Sequence, residues 1–299
     1  MKIKSNGIDI EVEDTGPGVD ALGNERQVVV LIMGLGMQLI AWPMDLVNAL
    51  VAAGYRVVRF DNRDIGLSQH FDGLGLPNVL FSALKARLGL SVRAPYTLSD
   101  MANDTVGVLD ALQIRKAHIV GVSMGGMIAQ RVALSHPKRT LSLTSIMSTS
   151  GARGLPQTQP HVLRALMSRP ASLSPQDIGD FYVKLLSVIG SPGFRVPEAE
   201  VRARAAIAFQ RNYHPQGVSR QMLAIMADDT RAKALADITV PTLVVHGTAD
   251  VLVPFACGED TAKRIPEAKF VAIDGMGHDL PPGVVQRLLT SLLPHLKAA

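Results

Sequence analysis

Residues 119–130 read IVGVSMGGMIAQ, an apolar run that ends in a serine flanked by glycines and continues as a helix-like stretch. Within it, residues 121–125 match G-x-S-x-G, the pattern of a sharp turn that joins a buried strand to a helix and exposes its serine. Larger side chains in place of the two glycines are expected to collide with neighbouring backbone. The stretch therefore predicts that Ser123 Oγ projects from a strand end, with a helix N-terminus pointing toward any group bound there.

Short apolar, β-branched runs recur along the chain, and helix-length segments separate them. This alternation predicts right-handed β-α-β crossovers and an α/β fold, a mostly parallel sheet with helices on both faces. Residues 2–14 are expected to form a hairpin at an antiparallel edge of the sheet. One predicted helix begins at an N-cap on Ser99. The predicted strands are VVVLIMG (28–34), RVVRFD (56–61), AHIVGV (117–122), LSLTSIM (141–147), TLVVHG (242–247) and KFVAID (269–274).

Residues 151–236 break this alternation, because they contain helical patches separated by Pro and Gly but no convincing strand. An α-helical insertion between two strands explains the pattern, so the core is predicted to comprise residues 1–150 and 237–299. The insertion is expected to be a cap or lid. The alternative is that its helices only add packing and contact no substrate.

The composition is that of an ordinary globular protein, with 47% hydrophobic residues in 299 and a formal net charge of +4. The charges are scattered, which gives little support to binding of nucleic acid or of a membrane surface. Cys257 is the single cysteine, so no intrachain disulfide forms and a reducing compartment is expected. The N-terminus lacks the apolar core of a signal peptide, and no stretch approaches the roughly 18 apolar residues of a membrane span. A cytoplasmic protein is expected, and its oligomeric state stays open.

A serine hydroxyl becomes a nucleophile when a base takes its proton and a third group orients that base. Two loops that follow predicted strands supply candidates: Asp250 in HGTAD and His278 in GMGHDLP. The carboxyl ends of parallel strands share one edge of a sheet, so both loops are expected near Ser123. Asp274 and Asp279 are alternative candidates for the acid. Asp274 lies too near its strand, and Asp279 is adjacent to His278 in sequence, so neither is well placed to orient the imidazole.

A site for acyl transfer also needs donors that stabilise an oxyanion. The candidates are two backbone N–H groups. One belongs to Met124, directly after the serine, and the other to Leu35 in the turn that follows the first central strand. Backbone direction matters more at these positions than the identity of the side chain.

The MGLG turn also imitates a dinucleotide-binding fingerprint, because Asp61 ends the next strand. The position of the third glycine is occupied by bulky Leu39, where helix and sheet must approach closely, so a nucleotide site is disfavoured. Asp61, Arg63 and Asp64 are instead expected to brace a loop beside the site through hydrogen bonds and ion pairs. His246, inside a predicted strand, is expected to be a hydrogen-bonded core residue.

Together these motifs resemble those of the α/β-hydrolase superfamily across nearly the whole chain. The matching stretches are MGLG, FDNRDIGLS as a D-x-R-x-x-G-x-S loop, GVSMGG, HGTAD and GMGHDLP. LIMGLGMQLIAWP and RFDNRDIGLS are most similar to lidded esterases akin to aclacinomycin methylesterase. Many relatives carry His-Gly before the oxyanion residue, whereas Met33 precedes Gly34 here. Ser123 argues against haloalkane dehalogenases and epoxide hydrolases, which place Asp at that position.

The resemblance implies hydrolysis of a small-molecule carboxylic ester through an acyl-enzyme. Ser123 is then the nucleophile, His278 the base, Asp250 the acid that orients it, and Leu35 and Met124 the oxyanion donors. No cofactor or metal ion is expected. Apolar side chains of the insertion are pocket candidates, although packing within the insertion explains them as well: Leu166, Met167, Phe181, Leu185, Leu186, Ile207, Phe209, Met222 and Met226.

Three other functions remain open on the same fold. Cofactor-free haloperoxidases or perhydrolases share the triad. Proline iminopeptidase-like amidases typically carry Trp after the nucleophile, where this chain has Met124. The lids of these amidases also hold acidic residues that bind the amine of the substrate. Acidic residues of the insertion keep this function open: Glu198, Glu200, Asp228 and Asp229. A hydrolase-fold receptor retains the triad and turns over slowly.

Overall fold

The computed structural model describes residues 1–19, 23 and 25–299. Its strands are β1 (Lys2–Ser5), β2 (Ile8–Asp14), β3 (Val28–Ile32), β4 (Arg56–Phe60), β5 (Ala117–Val122), β6 (Thr140–Ile146), β7 (Thr242–Gly247) and β8 (Lys269–Ile273). Its helices are α1 (Met44–Ala52), α2 (Val79–Arg87), α3 (Leu98–Ala111), α4 (Met124–Ser135), α5 (Pro160–Leu166), α6 (Pro175–Ile189), α7 (Glu198–Arg211), α8 (Pro215–Met226), α9 (Arg231–Ala234), α10 (Phe255–Arg264) and α11 (Pro282–Lys297).

The strands form one sheet in the order β1-β2-β4-β3-β5-β6-β7-β8. β1 pairs with β2, and β2 with β4, in antiparallel fashion, whereas every other pairing is parallel. The turn between β1 and β2 is Asn6-Gly7, with φ of 49° and 79°, as a two-residue hairpin turn requires. The predicted α/β fold and its antiparallel edge hairpin are therefore confirmed.

Helices cover both faces of the sheet, which explains why the central strands are apolar on both sides. Successive residues of β3 point to opposite faces. Val28, Val30 and Ile32 pack with side chains of α3 and α4, while Val29 and Leu31 pack with side chains of α1 and α11. The alternation of side chains along a strand thus gives two separate apolar cores. They hold the strand ends rigidly at the edge where the site lies.

The start of α3 differs from the prediction. Thr97, not Ser99, is the N-cap: its side chain accepts from the Asp100 N–H at 3.1 Å, and Asp100 Oδ2 accepts from the Thr97 N–H at 2.8 Å. This reciprocal pair is a capping box, which satisfies two backbone donors that a helix leaves unpaired. Thr97 has Asp three residues later and Ser99 does not, so the sequence favours the earlier residue.

Between β6 and β7 the chain is helical, with α5 to α9 and no strand among residues 147–241. α6 and α7 pack against each other within this segment. We refer to residues 151–236 as the helical segment. No helix in the described part of the chain combines the length and the apolar character needed to cross a bilayer.

Candidate active site

Ser123 lies between β5 and α4 in a backbone conformation that residues other than glycine rarely adopt, with φ 55° and ψ −121°. The glycines on either side make this turn possible. A Cβ on Gly121 would lie 2.0 Å from the Gly125 carbonyl oxygen, and one on Gly125 would lie 2.0 Å from the Ile32 carbonyl oxygen. A backbone held in such a region costs about 1–3 kcal/mol and persists only where the surroundings impose it. In this protein the strained turn leaves Ser123 partly exposed at the end of a buried strand.

Two side chains from distant loops extend from this serine in a hydrogen-bonded line. His278 Nε2 lies 3.0 Å from Ser123 Oγ, and His278 Nδ1 lies 2.7 Å from Asp250 Oδ2. Asp250 Oδ1 accepts from the N–H groups of Leu252 and Val253, both at 2.9 Å. The carboxylate of Asp250 is fully buried, and the His278 side chain is 8% exposed. An Nδ1–H that donates to Asp250 leaves the Nε2 lone pair facing the serine hydroxyl.

The rival acids have other partners. Asp274 Oδ1 accepts from Thr248 Oγ1 at 2.9 Å, and Asp279 Oδ1 accepts from the Ser191 N–H at 2.9 Å. Burial raises the pKa of Asp279, although its hydrogen bonds with Ser191 oppose that rise. His246 is fully buried, its Nε2 lies 2.8 Å from the Val253 carbonyl oxygen, and burial lowers its pKa. It is the core residue that the sequence predicts.

The turn after β3 lies directly beside the serine. A Cβ on Gly34 would meet Ser123 Cβ at 3.2 Å, and the Met37 N–H donates to the Gly34 carbonyl at 3.2 Å, which closes the turn. The N–H groups of Leu35 and Met124 donate to no acceptor among the described residues. Met124 thus follows Ser123 directly, and Leu35 follows Gly34, which lies beside Ser123.

Gln221 of α8 holds this turn in place, and no sequence signal pointed to it. Its side chain is fully buried: Oε1 accepts from the Gly36 N–H at 3.0 Å, and Nε2 donates to the Arg63 carbonyl at 2.8 Å. This contact fixes the backbone immediately after the Leu35 N–H. Val218, one helical turn earlier, packs against Gly36, where an added Cβ would meet its Cγ2 at 3.0 Å.

A second unforeseen residue, Ser191, secures the loop of the candidate base. Ser191 Oγ donates to Asp279 and accepts from the Gly277 N–H at 2.9 Å. In addition, the His278 N–H donates to the Ile189 carbonyl at 2.7 Å. The end of α6 therefore fixes the backbone on both sides of His278.

The loop after β4 is braced by buried ion pairs, as predicted. Asp61 accepts from the Leu39 and Leu67 N–H groups at 2.7 and 2.9 Å and pairs with Arg211 of α7 at 2.7 Å. Burial raises the pKa of Asp61, and these contacts oppose the rise. The Leu39 N–H and Arg211 therefore occupy the carboxylate that a dinucleotide-binding turn would offer to a ribose.

Two further arginines pair with acids in the same region. Arg63 pairs with Asp104 at 2.6 Å, and Arg220 of α8 pairs with Asp64 at 2.6 Å, each pair being almost entirely buried. Burial alone raises the pKa of Asp64, but the hydrogen bonds from Arg220 and others hold it below its ordinary value. Arg220 therefore joins the helical segment to the loop after β4 through a charged contact that is inaccessible to water.

One cluster has ligand atoms close enough for a metal ion. His70, Asp72 and His214 offer three such atoms within 4.8 Å of one another. The two imidazole rings, however, stack in parallel planes with centroids 3.8 Å apart, so one ion cannot lie in both planes. Asp72 also accepts from buried Arg220 at 3.1 Å. The cluster is a polar contact between the loop after β4 and the helical segment.

Most of the acidic residues that were candidates for an amine-binding site form ion pairs with arginines. Glu198 and Glu200 contact Arg202 and Arg204, and Asp228 contacts both Arg131 and Arg231. Among the apolar pocket candidates, Met167 and Ile207 are 49% and 60% exposed. The other candidates are half-buried: Leu166, Phe181, Leu185, Leu186, Phe209, Met222 and Met226.

Comparison with known proteins places the chain in one family. The family model of the alpha/beta hydrolase fold matches residues 27–281. Rhodomycin D methylesterase DauP from Streptomyces sp. (strain C5) is 29% identical over 291 residues, 91% of each chain. The putative carbamate hydrolase RutD from Caulobacter segnis is 30% identical and covers 85% of each chain.

A solved structure agrees in fold. The enol-lactonase from Burkholderia xenovorans LB400 matches with a TM-score of 0.73 and 21% identity, over 99% of this chain and 100% of that one. At this identity the likeness shows the fold alone. The family match and the methylesterase relative together support a hydrolytic enzyme. With its sheet, its serine turn and a family match across most of its length, the chain belongs to the α/β-hydrolase family.

Proposed function

We propose that this protein hydrolyses small-molecule carboxylic esters through a covalent acyl-enzyme on Ser123. The observation that carries the proposal is the line of contacts from Ser123 Oγ to His278 Nε2 at 3.0 Å and from His278 Nδ1 to Asp250 at 2.7 Å. A nucleophile, its base and the group that orients the base are the parts that acyl transfer needs.

In the first half of the reaction, Ser123 Oγ attacks the ester carbonyl while His278 Nε2 takes its proton. The carbonyl oxygen becomes an oxyanion, to which the Leu35 and Met124 N–H groups donate. Asp250 keeps the imidazole in the correct tautomer and stabilises the imidazolium. The imidazolium then protonates the leaving alcohol as the C–O bond breaks, which leaves the acyl group on Ser123.

In the second half, a water molecule replaces the alcohol. His278 takes a proton from this water, which attacks the acyl carbonyl, and the same two amides hold the second oxyanion. Collapse of this intermediate releases the carboxylic acid and returns the proton to Ser123. Residues of this chain supply every group used, and no cofactor enters the scheme.

The helical segment, residues 151–236, is proposed to be a cap on a core formed by residues 1–150 and 237–299. Its contacts support this role, because Gln221 touches the turn of Leu35 and Ser191 touches the loop of His278. A segment that holds both loops is placed to affect catalysis as well as access. Its half-buried apolar side chains favour an apolar acyl or alcohol group.

Ester cleavage is favoured over the other functions of this fold. The methylesterase relatives DauP and DnrP, the latter from Streptomyces peucetius and 28% identical, each match 91% of the chain. An aminopeptidase-like role loses support because Glu198, Glu200 and Asp228 are paired with arginines. Perhydrolase activity and a slow-turnover receptor remain alternatives that assays separate.

The test combines covalent labelling with turnover. A fluorophosphonate probe should label the wild-type protein, and p-nitrophenyl esters of increasing acyl length should show which chain is preferred. Ser123→Ala should lose labelling and about 10⁴-fold or more of kcat. Ser187→Ala, which changes an exposed serine of the helical segment, serves as the matched control. Undiminished hydrolysis by folded Ser123→Ala would contradict the proposal, and rapid labelling without turnover would favour the receptor.

A further inference from the structure

The exposed large apolar side chains of this protein are concentrated around α2. Among the described residues, most of those that are more than half exposed lie between positions 74 and 90. Elsewhere in the described part of the chain, only Met1, Leu173 and Ile207 exceed that level. We call the following six the apolar patch: Leu76 (69% exposed), Leu80 (71%), Phe81 (55%), Leu84 (53%), Leu88 (65%) and Leu90 (56%).

Four of the six residues of the apolar patch have the spacing of one helix face. Leu80, Leu84 and Leu88 are four residues apart, and Phe81 lies three residues before Leu84, so these side chains adjoin along the helix. The other side of α2 packs against α8. An apolar helix face in a globular protein normally packs against a neighbour. Here one face lacks a neighbour among the described residues, and contiguous exposed patches of this kind mark interaction sites.

The charged residues of the segment that carries the patch are all cationic. Residues 73–99 contain three cationic residues and no Asp or Glu. Lys85 lies within α2, with its ammonium 4.9 Å from the centre of the Phe81 ring, and Arg93 is exposed just beyond the patch. The net charge of the whole chain conceals this local excess, because the acids lie elsewhere.

We propose that the apolar patch is a membrane-contact element that lies on an anionic lipid surface without crossing it. An apolar face flanked by Lys and Arg is the arrangement of interfacial helices, whose apolar side chains enter the boundary between headgroups and acyl chains. Lys85 and Arg93 then meet lipid phosphates, an attraction that neutral lipid lacks.

A second copy of this chain fits the patch less well. In a two-fold dimer the same surface meets itself, so Lys85 and Arg93 of one copy would face cations of the other. With no acid in residues 73–99, no charge in the segment compensates them. Charge complementarity therefore favours an anionic surface over self-association.

The position of the patch links it to the candidate active site. α2 packs against α8, and α8 carries Gln221, which holds the turn of Leu35. A membrane contact at α2 is thus one helix away from the oxyanion donors. Delivery of apolar esters from the bilayer to Ser123 would rest on the proposed function, whereas lipid binding itself does not.

The experiment measures binding of the full chain to sedimenting vesicles of phosphatidylcholine with and without phosphatidylglycerol. Binding should require the anionic lipid and weaken as salt rises. The triple variant Leu80→Ser, Phe81→Ser, Leu84→Ser should lose binding by about 10³-fold or more, since each large side chain that no longer enters an apolar phase costs about tenfold or more. The double variant Lys85→Gln, Arg93→Gln should reduce the preference for anionic lipid.

The matched control is Leu173→Ser, Met44→Ser, which removes two comparably exposed apolar side chains outside the patch. It should bind vesicles as the wild type does, and all variants should hydrolyse a water-soluble ester equally. Absence of wild-type binding to any vesicle would overturn the proposal, as would equal losses in the triple variant and the control. A dimer in sedimentation velocity that the triple variant converts to monomer would assign the patch to a second copy and overturn it too.

Discussion

Replacing Gln221 by methionine tests whether the helical segment shapes the proposed oxyanion site. Methionine has a similar length and volume but can neither accept from the Gly36 N–H nor donate to the Arg63 carbonyl. The Gln221 side chain is fully buried and makes these two hydrogen bonds at 3.0 and 2.8 Å, respectively. A buried donor or acceptor without a partner lowers the stability of the fold by about 1–3 kcal/mol. The turn should therefore shift to regain a hydrogen bond.

That shift sets the size of the expected effect. Complete loss of one oxyanion donor lowers kcat by about 10²–10³. A displaced but present Leu35 N–H should cost less, so Gln221→Met should lower kcat about 10- to 100-fold and change KM little. The free energy of unfolding should fall by about 2 kcal/mol, from the two lost hydrogen bonds.

The assay compares kcat and KM for a short p-nitrophenyl ester with the inhibition constant of a boronic acid. A boronate adduct on Ser123 imitates the tetrahedral intermediate, so its inhibition constant should rise in parallel with the loss of kcat/KM. Gln176→Met changes an exposed glutamine of α6 and is the control. Should Gln221→Met keep wild-type kcat/KM and boronate affinity while losing stability, Gln221 is structural only and the reasoning is refuted.

Three further outcomes are expected. Ser191→Ala should lower kcat about three- to tenfold by loosening the loop of His278, with Ser191→Thr restoring it in the same ester assay. Arg220→Met should cost about 3–5 kcal/mol in chemical denaturation at pH 7, because buried Asp64 loses its partner. Burial lowers the pKa of His118 to about 4. The unfolded chain therefore binds the extra proton first, and stability should fall by about 3 kcal/mol as pH drops from about 6.5 to 4. The variant His118→Gln should show a flatter dependence of its unfolding midpoint on pH over that range.

The sequence predicted those features that local physics determines. The central strands were foreseen because β-branched runs that are apolar on both sides suit only a sheet covered on both faces. The turn of Ser123 was foreseen because Gly121 and Gly125 occupy positions where any Cβ would collide. Asp250 and His278 follow strands whose ends share one edge, so the topology brings them to the serine.

Features made by distant side chains left no comparable signal. Gln221 and Gly36 are 185 residues apart, and a buried glutamine in a helix has the same local pattern as an exposed one. Ser191 is one of many serines near helix ends. The apolar patch was hidden for another reason: residues 74–90 have the composition of a buried helix, and only the structure shows which face lacks a neighbour. The cytoplasmic location remains a prediction to be tested.

The covalent intermediate tests the central claim most directly. Enzyme mixed with excess p-nitrophenyl ester and quenched in acid during turnover should gain the mass of one acyl group, which peptide mapping should assign to Ser123. Asp250→Asn should accumulate the same adduct far more slowly, since the imidazole loses its orienting partner. Hydrolysis at the wild-type rate with no acyl group on Ser123, or with the group on another residue, would contradict the account.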